Sequence, residues 1–157
     1  MIPIRDYLLS VSRKRWERKL KILVAGATGM VGIQVVAQAL ARGHEVIAVA
    51  RTPAKLTIEH PRLSKTAADI EDGAAIAPLL AGVDAVISTV GIGAAKTPTT
   101  LYSAGTRSLL DGMAAHGVRR IVVISSVVAE HWAHQGWVTL HVLLPLLQHF
   151  LGATYDD

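Results

Sequence analysis

The sequence has no cysteine, which excludes a disulfide scaffold, a thiolate zinc site, an iron–sulfur cluster and a cysteine nucleophile. That absence fits a cytoplasmic protein. Aromatic residues are scarce at 4%: Tyr7, Trp16, Tyr102, Trp132, Trp137, Phe150 and Tyr155. The core must therefore come from Ala, Val, Leu and Ile. No long apolar run is present. The longest candidate, residues 137–151, carries His141, Pro145, Gln148 and His149, whereas a membrane span needs roughly 20 predominantly apolar residues. No membrane span is expected. Nor is a secretory signal, because the first apolar stretch precedes the basic cluster instead of following it. With 51% hydrophobic and 18% charged residues in 157, disorder is excluded as the dominant state, and the length suits one domain.

The net charge of +4 is unevenly spread along the chain. Residues 1–21 carry Arg5, Arg13, Lys14, Arg15, Arg18, Lys19 and Lys21 against Asp6 and Glu17, and the other 136 residues carry nine basic against ten acidic side chains. This separates a basic N-terminal extension, residues 1–20, from a body, residues 21–157. The body's near-neutral balance argues against nucleic acid as a partner. In the extension, Ile4, Tyr7, Leu8 and Val11 follow helical spacing. A short amphipathic helix there would pack on the body, touch a partner or lie on an anionic surface. The alternative is a plain solvated extension.

From residue 21 a regular alternation begins. Apolar runs at 21–25, 45–50, 83–90 and 120–125 read as strands, with a weaker one at 63–68. Helical patterns lie between them at 31–42, 73–80 and 98–116, with a short turn or helix at 53–56. Gly43, Gly82 and Gly117 stand at the helix ends, and Thr97 stands where an N-cap would. The strong strands are continuously apolar, as a sheet covered on both faces requires. The rhythm predicts an α/β fold: a Rossmann-type doubly wound parallel sheet of about five strands in order 3-2-1-4-5.

Between the first strand and the first helix stands Gly26-Ala-Thr-Gly29-Met-Val-Gly32. Glycines at this junction permit a tight turn and close approach of a ligand, and the first amides of the helix then favour a diphosphate. Gly32 would let the helix pack tightly on the sheet. The spacing differs from the commoner G-x-G-x-x-G, and its context between an apolar strand and an amphipathic helix is what gives it weight. Thr28, Met30 and Val31 belong to the same stretch. The second strand ends Val49-Ala50-Arg51-Thr52, with Lys55 close by. NAD sites usually place an acid there for the ribose 2′-hydroxyl, whereas NADP sites avoid it and offer arginine. Arg51 suits a 2′-phosphate bidentately and Thr52 adds a hydroxyl. NADPH is the expected cofactor and NAD the less favoured one.

Together with Ala68-Asp69-Ile70, Ser88-Thr-Val-Gly91 and Ile124-Ser125-Ser126, these motifs make the chain resemble the atypical short-chain dehydrogenases/reductases. The branch it is most similar to is the NAD(P)H-binding, NmrA-like group related to flavin/biliverdin reductases. The resemblance runs from about residue 20 to 157. It implies that Asp69 and Ile70 flank the adenine, that Thr89, Val90 and Gly91 pass under the ribose and diphosphate, and that Ser125 sits near the nicotinamide. It also implies an NADPH-dependent oxidoreductase, with hydride transfer to a small carbonyl, quinone or flavin-like acceptor. Two departures stand out. After Ser126 the only tyrosine is Tyr155, and no lysine follows Lys96, so the Tyr-x-x-x-Lys pair of the tyrosine-dependent relatives is missing. The sequence also stops before the substrate half of such relatives. Both departures leave open a second class, a dinucleotide-binding redox sensor or interaction module without turnover.

Other constellations are weaker. His131, His134 and His141 lack a metal signature, so no metal site is expected. Glu71 with Asp72, and Asp156 with Asp157, read as solvated turns or termini. Ser125-Ser126 lies in no nucleophile elbow. The last strand, with Ile121-Val-Val-Ile124 uncharged, and the leucine-rich residues 137–151 leave an apolar edge. A homo-oligomer through residues 120–151 is expected.

Overall fold

The computed structural model describes residues 18–91 and 100–124. Five parallel strands form one sheet: β1 (Lys21–Ala25), β2 (Glu45–Ala50), β3 (Leu63–Ala67), β4 (Ala85–Ser88) and β5 (Ile121–Val123). Their order is β3-β2-β1-β4-β5, the doubly wound arrangement expected from the sequence. Helix α1 (Met30–Ala41) joins β1 to β2, α2 (Gly73–Ile76) lies between β3 and β4, and α3 (Leu101–His116) joins β4 to β5.

Side chains alternate between the two faces of a strand, and here both faces are covered. On one face Ile22, Val24, Val46 and Ala48 pack with Val36, Ala39 and Leu40 of α1 and with Leu56. On the other, Leu23, Ile47, Val49 and Val86 pack with Ile76, Leu80, Leu109 and Met113. Leu23, Val24, Val46 and Val86 have no exposed surface, which is why β1, β2 and β4 read as unbroken apolar runs. Few aromatics are needed because branched aliphatics fill both layers.

Two expected elements change in detail. The helix expected over 73–80 is a four-residue α-helical turn followed by a 3-10 turn at Ala77–Leu80. Pro78 explains the break, since it has no amide to donate and its ring crowds the preceding turn. The helix expected from residue 98 is described from Leu101, with Thr100 at the cap position and no side-chain cap. Thr100 instead donates its hydroxyl to Glu71 Oε1 at 2.7 Å. Thr97 lies outside the described residues, as do Ser125, the histidines at 131, 134 and 141, residues 137–151 and most of the N-terminal extension. Strand β5 pairs only with β4 among the described residues, and Val122 and Val123 are 59% and 47% exposed.

Candidate functional site

The strands all end on one side, and the turns beyond β1, β2, β3 and β4 converge there. Leaving β1, the chain turns at Gly26 with φ +76°. A side chain would be strained in that conformation, and its Cβ would lie 2.9 Å from the carbonyl carbon and oxygen of Thr89. The amides of Gly26 and Ala27 both donate to the Val49 carbonyl, at 3.0 and 3.2 Å, which fixes the turn to β2. From the other side, the Thr89 amide donates to the Ala25 carbonyl at 2.9 Å. The Thr89 hydroxyl reaches the carbonyls of Ala25 at 2.9 Å and Gly26 at 3.1 Å. Thr89 thus braces the glycine loop against β4.

The three glycines of the motif have different tasks. At Gly32 a Cβ would sit 2.2 Å from the Gly26 carbonyl oxygen and 2.9 Å from Thr89 Oγ1. Gly32 therefore seats α1 on the loop itself, a closer constraint than packing on the sheet. Gly29 has ordinary extended angles, and a Cβ there would meet only the Gly26 oxygen at 3.4 Å. The fold makes little demand for glycine at 29; the absent side chain leaves room above the loop. Gly29 caps α1 without a side-chain hydrogen bond, and the first turn has no acid. The first intrahelical bond is Ile33 to Gly29 at 2.9 Å, so the amides of Met30, Val31 and Gly32 have no acceptor within the helix. That end of α1 suits an anion.

An open cleft of about 240 Å³ lies over this loop. Its walls include nine residues expected from the sequence: Gly26, Thr28, Gly29, Arg51, Asp69, Ile70, Thr89, Val90 and Gly91. Three other expected residues do not line it. Met30 and Val31 turn their side chains outward, 89% and 49% exposed, and offer the cleft only their backbone amides. Thr52 is exposed at the start of the 3-10 turn Pro53–Lys55 and makes no cap. Lys55, which the sequence sets beside Arg51, also lines it, and so do residues with no expected role there: Val49, Leu101 and the small residues Ala25, Ala50 and Ala68. The last three are strand-end alanines directly beside the motifs. Leu101 opens α3, and its place depends on where residues 92–99 lead, which no local pattern reveals.

The cleft is polarised. Arg51 and Lys55 stand on the β2 side, and neither makes a salt bridge among the described residues. The acid on the β3 side is committed to its own turn: Asp69 accepts the Glu71 amide at 3.1 Å. Ile70 is buried, wedged so tightly against α3 that a Cβ on Gly105 would come within 2.9 Å of it. It presents an apolar surface to the cleft from a fixed position. A dinucleotide fits this donor set: open space over Gly29, free amides, cations at one end and an apolar wall at the other.

Residues 26–153 match the NAD(P)H-binding family. The chain is 33% identical over 117 residues to a 3-beta-hydroxysteroid dehydrogenase of Mycolicibacterium neoaurum, covering 68% of this chain and 32% of the relative. It therefore spans about a third of that relative's length. Among solved structures it is similar to uronate dehydrogenase from Agrobacterium tumefaciens complexed with NAD, at TM-score 0.58 and 28% identity over 69% of this chain and 42% of the other. The oxidoreductase ylbE from Lactococcus lactis shares the fold at TM-score 0.67 and 19% identity, over 87% of this chain and 60% of that one. The fold, the glycine loop and these matches agree, and the chain belongs to the NAD(P)H-binding family of atypical short-chain dehydrogenases/reductases.

Proposed function

We propose that the cleft binds NADPH in preference to NADH and that the domain serves hydride transfer to a small carbonyl, quinone or flavin-like acceptor. One observation carries the cofactor choice: Arg51 stands in the cleft wall where β2 ends, with Lys55 beside it and no carboxylate at that strand end. A planar guanidinium suits a 2′-phosphate, and an acid in its place would repel one. The diphosphate lies over Gly26, Thr28 and Gly29 and takes the amides of Met30 and Val31. Thr52 supports Arg51. Asp69 and Ile70 flank the adenine, and Thr89, Val90 and Gly91 run beneath the ribose. Ser125 follows β5 closely in sequence and is assigned to the nicotinamide or the acceptor.

When bound, the nicotinamide supplies the hydride, and the protein's part is to orient it and exclude water. The proton for a carbonyl acceptor is assigned to solvent or to the acceptor's own groups. Calorimetric titration of NADPH and NADH tests the cofactor choice, and equal affinities would overturn it. The second reading is a dinucleotide sensor without turnover. NADPH oxidation assayed with quinone, flavin and carbonyl acceptors separates the two readings. We further assign homo-association to the exposed β5 edge; a concentration-independent monomer in light scattering would refute that.

A further inference from the structure

The cations of the described residues gather at the end of the sheet opposite the cleft. Because all five strands are parallel, all five are entered from that end. Lys21 is level with Glu45. Extending the β1–β4 and β2–β3 ladders by one residue and the β4–β5 ladder by two sets Arg62, Glu45, Lys21, Asp84 and Arg119 in one row across the sheet. Backbone bonds tie the row together: the Glu45 amide donates to the Leu20 carbonyl, the Asp84 amide to Lys21, the Val46 amide to Arg62 and the Val86 amide to Arg120. At the usual strand spacing the row is about 19 Å wide. Arg18 and Lys19 enter it ahead of β1, Arg42 follows α1, and Arg120 leads into β5.

This end holds seven basic side chains (Arg18, Lys19, Lys21, Arg42, Arg62, Arg119, Arg120) against Glu45 and Asp84, whereas the rest of the described residues hold four basic against five acidic ones. Both carboxylates of the row are engaged, Asp84 with Arg18 at 3.2 Å and Glu45 with Lys21 at 3.5 Å. Lys19, Arg42, Arg62, Arg119 and Arg120 are exposed and form no salt bridge among the described residues. Helix ends account for part of this. The negative end of α1 draws Arg42, which bonds the Gln38 carbonyl at 3.2 Å. Arg62 reaches the same end, donating to the Leu40 carbonyl at 3.4 Å, whereas Lys19 and Arg120 serve no helix end. The near-neutral total of the body thus conceals a strong separation of charge.

We propose that this end of the sheet docks on an anionic lipid surface. Two observations favour a bilayer over nucleic acid. The row is assembled from strand entries, with no hairpin to enter a groove and no aromatic side chain to stack a base among its described residues. The sequence that joins the body at Arg18 continues the cationic run with Arg13, Lys14 and Arg15, beside Trp16 and beyond Ile4, Tyr7, Leu8 and Val11. Apolar residues at helical spacing next to a polybasic patch are the two signals that together hold a protein on a membrane surface. The cleft lies at the far ends of the strands, about 17 Å away for five residues of β1. A chain docked by the row therefore keeps its cleft open to water.

Flotation of the 157-residue chain with vesicles tests this. It should rise with phosphatidylglycerol-containing vesicles and not with phosphatidylcholine alone, and about 1 M salt should release it. Each basic side chain near such a surface strengthens partitioning about five-fold, so the variant Arg62→Gln/Arg119→Gln/Arg120→Gln should lose about a hundred-fold. Lys19→Gln/Arg42→Gln is a second variant at separate positions, and unchanged thermal unfolding of either shows that the fold is kept. Failure to bind the anionic vesicles, equal binding to neutral ones, or parental binding by both variants would overturn the proposal. So would tighter binding to duplex DNA than to vesicles, lost in the same variants.

Discussion

The two ends of the sheet are made from the same strands and do opposite things with them. At the carboxyl end the chain uses small residues. Gly26, Gly29 and Gly32 bring backbone close to backbone, Thr89 braces the turn, and the first amides of α1 are left without internal partners. At the amino end the chain uses long charged residues joined by ion pairs, with Asp84 and Glu45 anchoring the start of β1. The first end is built by removing side chains to make room and the second by adding side chains that reach across strands. Substitutions should therefore act steeply at the carboxyl end, where backbone atoms would collide, and gently at the amino end, where flexible side chains and water compensate.

The steepest effect should come from Gly32→Val. Its Cβ would fall 2.2 Å from the Gly26 carbonyl, and that oxygen belongs to a turn tied to both Val49 and Thr89. The two nearest atoms are backbone, and the third, Thr89 Oγ1, is held by the Ala25 and Gly26 carbonyls, so the loop itself must move. A loss of about 3 kcal/mol is expected, lowering Tm by roughly 10 °C in circular dichroism melting. Gly29→Val sharpens the contrast three residues away. Its Cβ meets one atom at an acceptable distance, so Tm should shift by only a few degrees, within about 1 kcal/mol. Its methyls would fill the space over the loop, and NADPH binding should fall at least about a hundred-fold. If both variants melt alike, or Gly29→Val binds as well as its parent, the division of labour between the two glycines is wrong.

Arg51→Ala ranks next. The guanidinium is exposed and makes no salt bridge among the described residues, so stability should hardly change. Losing a charge-assisted contact to a 2′-phosphate should weaken NADPH by about 1.5–3 kcal/mol, or roughly ten- to a hundred-fold, and leave NADH unchanged. A parallel loss for both dinucleotides, measured by calorimetry, would place Arg51 on the diphosphate they share.

Most of the sheet was legible in the sequence because burial on both faces leaves an unmistakable mark. Ile22 to Val24 and Val46 to Val49 are apolar at every position, and their periodicity needs no tertiary context. The glycine loop was legible as a motif, yet not the reason for each glycine. Gly29 and Gly32 look alike on the page and differ only in what stands within 3 Å. The Pro78 break could have been read from proline chemistry alone. Leu101 could not, since its position depends on how α3 meets the turn after β3. The cationic row was hidden for the same kind of reason. Arg62, Lys19 and Arg119 are far apart in sequence, and only the parallel register brings them to one end of the sheet.

The smallest effect separates charge from hydrogen bonding at the amino end. Asp84 Oδ2 accepts the Lys21 amide at 2.9 Å, and Oδ1 accepts Arg18 Nη2 at 3.2 Å. Arg18 is 70% exposed, so its ion pair is screened by water and contributes at most about 1 kcal/mol. The Lys21 amide is partly buried at the first residue of β1, and no other acceptor reaches it among the described residues. Asp84→Asn keeps an oxygen for that amide and loses only the charge, so urea unfolding should show a loss of less than about 1 kcal/mol. Asp84→Ala removes both and strands the amide, adding about 1–3 kcal/mol on the scale of an unpaired buried donor. Raising the salt to about 1 M should shrink the gap between the parent and Asp84→Asn, because only that gap is Coulombic. The gap between Asp84→Asn and Asp84→Ala should persist. NADPH affinity should be the same in all three, since the change lies at the far end of the strands from Gly29. Salt-insensitive losses of equal size in both variants would mean that the amino end is held by its charges no more than the carboxyl end is.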